Sequence, residues 1–163
     1  MKKSSNETTF SEKEMIQFLG KVSVFDKLTK NERKNIADYF YERKFKAEEQ
    51  IFKQDYPSVV FYIIKNGEVK VFLKRRGKEK EISRLKSRDF IGEIGVFLEK
   101  NRVASAIAKK ESTLFAISKK DLKKFIDKFP KAGTKILYKF GEIVSTYLID
   151  QNEDSEENES KIL

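Results

Sequence analysis

The sequence predicts an α+β fold that is mainly β, with helices on both sides of an antiparallel β-body. Two observations lead to this prediction. Helix-capping signatures occur near both ends of the chain, whereas the middle alternates apolar and polar residues with the period of two expected of strands. Short strands separated by turns are typical of a sandwich or barrel. The 163 residues are enough for one domain with a sizeable core.

Two capping boxes begin the predicted N-terminal helices. The segment Ser11 to Glu14 has the Ser-x-x-Glu form, and the apolar residues that follow it end at Gly20. The segment Thr29 to Glu32 repeats this signature and begins a second helix, whose apolar residues lie at 36–40. We expect residues 1–9, which precede both boxes, to be disordered.

The strands are predicted from apolar runs and from the turns between them. The run Val59 to Ile64 is typical of a well-buried strand, and Asn66-Gly67 marks the tight turn that follows it. Further strands are expected at residues 49–52, 69–73, 79–85, 103–108 and 112–118.

Two more helices are predicted after the strands. The segment Ser118 to Asp121 caps a helix that ends near Pro130. The last helix carries one apolar stripe, formed by Ile136, Leu137, Phe140, Ile143, Val144, Tyr147 and Leu148. Core packing is the usual role of such a stripe, and a dimer seam or a ligand lid would be more specific uses of it.

The composition excludes several kinds of chemistry. The chain has no Cys, so disulfides, thiolate nucleophiles and Cys-ligated zinc are absent. It has no His, which removes Ser-His-Asp catalysis and imidazole metal ligands. We therefore expect a binding module and not an enzyme.

The hydrophobic runs predict a cytoplasmic protein. The longest apolar run has six residues, against about 20 for a transmembrane helix. The charged start Met1 to Asn6 is not followed by the apolar core of a signal peptide. Together with the absence of Cys, these features favour the cytoplasm and no membrane association.

The net charge of +9 is unevenly distributed. Residues 151–163 carry −4 and the remainder +13, so the body could attract phosphate-rich polymers such as nucleic acids. The more ordinary interpretation is a solvated surface rich in Lys, because acids are interspersed along the chain. We expect residues 151–163 to form an acidic, disordered tail.

Residues 88–106 interrupt the strand pattern with groups suited to a sugar phosphate. Gly92 allows a ligand to approach the backbone closely, and the turn Ile94 to Leu98 could direct helical N–H groups at an anion. Arg102 can bind phosphate oxygens through two N–H donors. Ionised Glu93 accepts hydrogen bonds only, so it suits a sugar hydroxyl.

The segment Phe90 to Phe97, with Arg102 nine residues after Glu93 and Ala104 and Ser105 following, resembles the phosphate-binding cassette of cyclic-nucleotide-binding domains. Such domains occur in bacterial catabolite-activator-type regulators and in regulatory subunits of cyclic-AMP-dependent kinase. Upstream, residues 51–54 and 61–69 resemble the first strands of the same β-roll. The resemblance covers roughly residues 10–148.

This resemblance implies a jelly-roll-like β-roll domain (a double-stranded barrel) at residues 10–150, flanked by N-terminal helices and two C-terminal helices. It implies that Glu93 accepts a hydrogen bond from the ribose 2′-hydroxyl and that Arg102, lying near Glu93, pairs with the cyclic phosphate. Gly92 would let the ligand approach, and four backbone N–H groups would help to bind the phosphate, those of Ile94, Gly95, Val103 and Ala104. The last helix would cover the base, and Tyr138, Phe140 or Tyr147 could stack on it.

Three positions depart from the family pattern. Asn101 replaces the usual Pro before the Arg, the loop Asp55 to Ser58 lacks the usual glycines, and Arg88 replaces a Gly. None of these changes removes a charge that would contact the ligand. Val103 lacks the hydroxyl that members preferring cyclic GMP often have after the Arg, which favours cyclic AMP.

The predicted function is a stand-alone cyclic-nucleotide receptor without catalysis, which binds cyclic AMP in preference to cyclic GMP. We expect its output to pass through the C-terminal helices to a protein partner or to a second copy in a homodimer. We expect no DNA-binding helix-turn-helix domain, since the acidic segment after Asp150 has only about 13 residues. The alternative is a scaffold or inhibitor subunit whose β-roll binds protein and no nucleotide.

Overall fold

The computed structural model of the protein describes residues 11–160. Helices α1 (Glu12–Leu19) and α2 (Lys30–Ala37) come first, joined through a 3-10 turn at Ser23–Phe25. Both predicted capping boxes are confirmed: the Ser11 hydroxyl accepts from the Glu14 N–H at 3.3 Å, and Thr29 does the same for Glu32 at 3.2 Å. The expected disorder at residues 1–9 lies outside the described residues.

The strands of the described chain form two four-stranded antiparallel sheets. One sheet has the order β1-β8-β3-β6 and the other has the order β2-β7-β4-β5. Their bounds are β1 (Tyr41–Phe45), β2 (Gln50–Phe52), β3 (Val60–Asn66), β4 (Val69–Arg75), β5 (Lys78–Leu85), β6 (Phe90–Ile91), β7 (Ser105–Ala108) and β8 (Ser112–Ser118). The predicted mainly β roll with flanking helices is confirmed, although these two sheets do not close into a barrel.

The sequence did not predict β1 and β6, which lie at the two edges of the first sheet. The strand β1 has the sequence Tyr-Glu-Arg-Lys-Phe, of which only Phe45 is buried. Edge strands often carry charges that discourage pairing with other chains, so an apolar pattern is not required of them. The strand β6 has only two residues, too few to show a period.

The strand β3 divides two hydrophobic cores, because its successive side chains point to opposite faces. Phe61 and Ile63 join the core between the first sheet and the helices. Tyr62 and Ile64 join the core between the two sheets. Burial on both faces explains the apolar residues 61–64, whereas Val59, the first residue of the predicted run, precedes the strand and is 56% exposed.

The C-terminal helices α4 (Lys119–Lys128) and α5 (Pro130–Ser160) follow β8 directly. The predicted cap of α4 is confirmed, since the Ser118 hydroxyl accepts from the Asp121 N–H at 3.0 Å. The helix α5 includes residues 151–160, part of the segment expected to be a disordered tail, and residues 161–163 lie outside the described range. No helix within residues 11–160 is both long enough and apolar enough to cross a bilayer.

Core packing accounts for only part of the apolar stripe on α5. Ile136 and Phe140 are fully buried, whereas Val144 is 42% exposed and Leu148 is 62% exposed. Two ion pairs join the buried half to the N-terminal part of the chain: Lys135 Nζ lies 2.7 Å from Glu32 in α2, and Lys139 Nζ lies 3.5 Å from Asp26, which follows the 3-10 turn. The segment of α5 from Val144 to Leu148 therefore has an apolar surface that the other described residues cover only in part.

Candidate ligand-binding site

A cavity of about 360 Å³ opens between the second sheet, the segment that follows β6, and α5. Small-molecule sites usually have volumes of about 300–1,000 Å³. Its lining residues are Phe52, Ser58, Val71, Ile82, Ser83, Leu85, Phe90, Ile91, Gly92, Glu93, Gly95, Asn101, Arg102, Val103, Ala104 and Tyr147. Most of these residues are apolar, and the charged groups among them are one acid, Glu93, and one guanidinium group, that of Arg102.

The cavity brings together most of the residues singled out in the sequence. Six of them line it: Gly92, Glu93, Gly95, Arg102, Val103 and Ala104. The seventh, Ile94, lies between Glu93 and Gly95 in the short helix α3 (Glu93–Phe97). The acid and the Arg, nine residues apart in the sequence, therefore line the same cavity.

Gly92 permits the close approach on which this arrangement depends. Its φ of +102° is a conformation that residues with side chains rarely adopt. A Cβ at this position would lie 2.7 Å from Arg102 Nη1 and 2.8 Å from the Val60 carbonyl oxygen. A side chain at residue 92 would therefore displace the guanidinium group.

Arg102 is a buried cation with incomplete pairing. Its side chain is only 6% exposed, and Nη2 donates to the Val60 carbonyl at 2.6 Å. Its Cζ lies 4.0 Å from the centre of the Phe52 ring, a cation–π distance. Its Nε is buried and has no acceptor among the described residues. Burial lowers the pKa of Arg102, and nearby Tyr62 and Glu93 oppose this shift.

The backbone of Arg102 is held by the loop between β2 and β3. Its N–H donates to the Tyr56 carbonyl at 2.7 Å, and its carbonyl accepts from the Asp55 N–H at 2.9 Å. Pro57 pairs with Asn101 one residue earlier. The loop that lacks the family's glycines therefore still closes on the site, since Asp55 itself adopts a φ of +70°.

Arg88, another departure from the family pattern, also keeps a backbone conformation that glycine favours. Its φ is +79°, and its N–H donates to the Ile64 carbonyl at 2.8 Å. The bend before β6 is therefore retained with a side chain in place of glycine, at some cost in backbone strain.

Glu93 begins α3 and is largely buried. Burial raises the pKa of its carboxyl group, whereas hydrogen bonds from the backbone of Glu93 and Gly92, and the charge of Arg102, act to lower it. No ion pair within the described chain joins Glu93 directly to Arg102. The charges of the two groups act on each other through space, and Arg102 Nε is left without an acceptor among the described residues.

Four backbone N–H groups were expected to face the phosphate. Those of Val103 and Ala104 donate to no backbone carbonyl in the described part of the chain. Those of Ile94 and Gly95 belong to the first turn of α3, where N–H groups have no partner within the helix. None of these four N–H groups is therefore used by a backbone carbonyl among the described residues, so each can still donate to a ligand.

Of the three aromatic residues considered for stacking, Tyr147 is the one that lines the cavity. Its side chain is half exposed, and its pKa is raised by burial and by the charges of Glu93 and Asp89. Phe140 is instead buried in the core, with its ring 5.2 Å from that of Phe97 in α3. Tyr138 is 73% exposed and is not among the lining residues.

Sequence reasoning missed Phe52, Ser58 and Ser83, which also line the cavity. Phe52 was assigned only to a strand, and its contact with Arg102 joins residues 50 positions apart. Ser58 was noted only as part of a loop without glycine. Ser83 lies in β5, where the polar alternation could have indicated that one face is accessible to a ligand.

Comparison with known proteins agrees with this geometry. The family profile described as "Cyclic nucleotide-binding domain" matches residues 42–129, more than half of the chain. A cAMP-dependent protein kinase regulatory subunit from Neurospora crassa is 32% identical over 114 residues, which are 69% of this chain and 29% of that protein. The chain therefore spans less than a third of the length of this curated relative.

Solved structures show the same fold at lower identity. The catabolite activator protein of Thermus thermophilus superposes with a TM-score of 0.75 at 22% identity, over 82% of this chain and 62% of that one. The regulatory domain of Toxoplasma gondii PKA, crystallised with cAMP, superposes with a TM-score of 0.66 at 22% identity, over 76% and 50% of the chains. With the profile match, the fold and the cavity, these comparisons show that the chain belongs to the cyclic nucleotide-binding domain family.

Proposed function

We propose that this domain is a receptor that binds cyclic AMP and signals to a protein partner through its C-terminal helices, with no catalytic step of its own. The observation that carries the proposal is the buried, incompletely paired guanidinium of Arg102 on the wall of a ligand-sized cavity. A buried cation is costly unless an opposite charge compensates it, so this position favours an anionic ligand.

The phosphate of the nucleotide would lie at the wall that carries Arg102. The guanidinium offers a charge-assisted hydrogen bond, and the N–H groups of Ile94, Gly95, Val103 and Ala104 add neutral donors. Glu93 lines the same cavity, and its carboxylate would accept from the ribose 2′-hydroxyl.

The base would lie at the apolar end of the cavity. Val71, Ile82 and Leu85 from the second sheet form this end, and Tyr147 from α5 stands at its mouth. A tyrosine ring can stack on a purine while its hydroxyl remains in water. Cyclic AMP is favoured over cyclic GMP because Val103 offers no side-chain hydrogen bond, and a structural neighbour was crystallised with cAMP.

The signalling step would use α5, which contacts both the cavity and the rest of the fold. Tyr147 meets the ligand site, Phe140 packs against α3, and Leu148 leaves apolar surface exposed nearby. A change in α5 on binding would alter that surface, which supports output to a partner protein or to a second copy. Sedimentation of the chain with and without cyclic AMP tests whether a homodimer is the output.

The primary test is a thermal melt of the chain without ligand and with cyclic AMP, cyclic GMP or 5′-AMP at 1 mM each. A ligand at about 100 times its Kd adds roughly 2.7 kcal/mol of stability, which for this chain length raises Tm by about 5–10 °C. We expect this shift with cyclic AMP, a smaller one with cyclic GMP and none with 5′-AMP. Equal melting temperatures in all four samples would contradict the proposal and favour a scaffold that binds protein only.

A further inference from the structure

The loop between β2 and β3 contributes a side chain to the cavity that no motif predicted. Ser58 is half-buried and lines the cavity on the side of Gly95 and Arg102. Its hydroxyl forms no hydrogen bond within residues 11–160, unlike the hydroxyl of Ser105, which accepts from the Gln54 N–H. A free hydroxyl at a cavity wall is available to a ligand as both donor and acceptor.

Ser58 and Gly95 share a space that only one side chain can fill. A Cβ at residue 95 would lie 2.7 Å from the Ser58 Cβ, and closer still to the Ser58 hydroxyl oxygen. Gly95 is buried, so it cannot move away into solvent. The absence of a side chain at residue 95 is therefore what allows the Ser58 hydroxyl to lie against α3 at the cavity wall.

The same loop is fixed to the site's cation. Asp55 and Tyr56 exchange backbone hydrogen bonds with Arg102, and the Arg102 side chain donates to Val60, two residues after Ser58. Ser58 is thus attached on one side to the segment that holds Arg102 and packed on the other against Gly95. Its hydroxyl therefore lies beside Gly95 of α3, on a loop that is hydrogen-bonded to Arg102.

We propose that the Ser58 hydroxyl is an additional ligand of the nucleotide, donating a hydrogen bond to an exocyclic oxygen of the cyclic phosphate beside Arg102. This inference rests on the proposed cyclic-nucleotide function and adds a residue outside the segment 88–106. A single donor in a fixed position contacts one of the two exocyclic oxygens. It therefore distinguishes phosphate analogues in which one oxygen or the other is replaced by sulfur, a weaker acceptor.

The test is Ser58→Ala, which removes the hydroxyl and keeps the Cβ. The affinities of wild type and variant would be measured by calorimetry for cyclic AMP and for its two phosphorothioate diastereomers. Hydrogen bonds to charged groups contribute about 1.5–3 kcal/mol, so we expect cyclic AMP to bind about tenfold more weakly or worse. The ratio of the two diastereomer affinities should also move towards one, which lost packing alone would not cause.

The matched control is Ser87→Ala, since the Ser87 hydroxyl is exposed and donates to the Lys65 carbonyl outside the cavity. This control should keep both the cyclic AMP affinity and the diastereomer ratio of wild type. Unchanged affinity and ratio in Ser58→Ala would overturn the inference while leaving the proposed function intact. A wild-type chain that binds no cyclic AMP would overturn the proposed function and this inference with it.

A second pair of variants tests the shared space. Gly95→Ala alone should lower Tm, because its Cβ would collide with the Ser58 side chain. The double variant Gly95→Ala with Ser58→Gly should recover most of the lost Tm. Its affinity for cyclic AMP should stay low, because the Ser58 hydroxyl is missing. A Gly95→Ala variant that melts like wild type would show that the Ser58 side chain is not held against residue 95, and would overturn the proposed placement.

Discussion

Replacing Arg102 with alanine should separate ligand binding from folding. The substitution removes the 2.6 Å hydrogen bond to the Val60 carbonyl and the cation–π contact with Phe52, which together stabilise the ligand-free fold by a few kcal/mol. It also removes a buried cation that has no ion-pair partner among the described residues, and burying such a charge costs several kcal/mol. These opposing contributions are similar in size, so we expect the ligand-free Tm to change by only a few degrees.

Ligand affinity should respond much more strongly. Truncating one member of a buried, hydrogen-bonded charge pair costs about 2–5 kcal/mol, because the phosphate is then buried without its counter-charge. That loss corresponds to about 30-fold to several thousandfold weaker binding of cyclic AMP. Arg102→Lys should recover part of the affinity, since it restores the charge without the planar fork of donors.

The assay is calorimetric titration with cyclic AMP, paired with a thermal melt of each ligand-free variant. Arg75→Ala is the matched control, because Arg75 is an exposed arginine at the end of β4 outside the cavity. Wild-type affinity in Arg102→Ala, or an equal loss in Arg75→Ala, would refute the assignment of the anion site to Arg102.

Three further outcomes are expected. Gly92→Ala should lower Tm far more than Gly77→Ala, because both glycines have positive φ but only at Gly92 would a Cβ meet Arg102 and Val60. Equal melting temperatures of the two variants would argue against the close approach of Arg102 to Gly92. The free energy of unfolding of the ligand-free wild type should fall as pH rises from the ordinary pKa of a glutamate towards the raised pKa of folded Glu93, because folded Glu93 holds its proton more tightly than the unfolded chain does. Glu93→Gln should not show this fall. Urea titrations between pH 4 and 8 measure both profiles, and parallel profiles would contradict the prediction. Tyr147→Ala should weaken cyclic AMP binding by about 1–3 kcal/mol, the range measured for base–aromatic stacking, whereas Tyr147→Phe should retain most of the affinity. A loss of affinity in both variants would assign the effect to the tyrosine hydroxyl.

The sequence predicted those parts of the fold whose signals are local. The capping boxes at Ser11 and Thr29 each require only four consecutive residues, and the structure has both. The strand β3 was identified because burial on both faces leaves an uninterrupted apolar run. The edge strand β1 was missed because its residues are mainly exposed and charged, so its pairing with β8 has no signature within the strand itself.

In the cavity, too, the sequence predicted only what local signals indicate. Glu93 and Arg102 lie in one short segment, and their spacing was enough to place them together. The contacts of Arg102 with Phe52 and of Gly95 with Ser58 join residues from distant parts of the chain, which meet only when the chain is folded. The choice of Tyr147 over Phe140 likewise depends on how α5 is rotated against α3, since both residues belong to the same apolar stripe.

The two backbone hydrogen bonds that attach residue 102 to the loop before β3 involve only main-chain atoms. Such bonds are indifferent to the identity of the side chain at that position. The path of the chain through the site is thus maintained separately from the chemical group displayed there. This separation makes residue 102 a position where the guanidinium can be exchanged for another head group to redirect ligand choice without redesigning the scaffold.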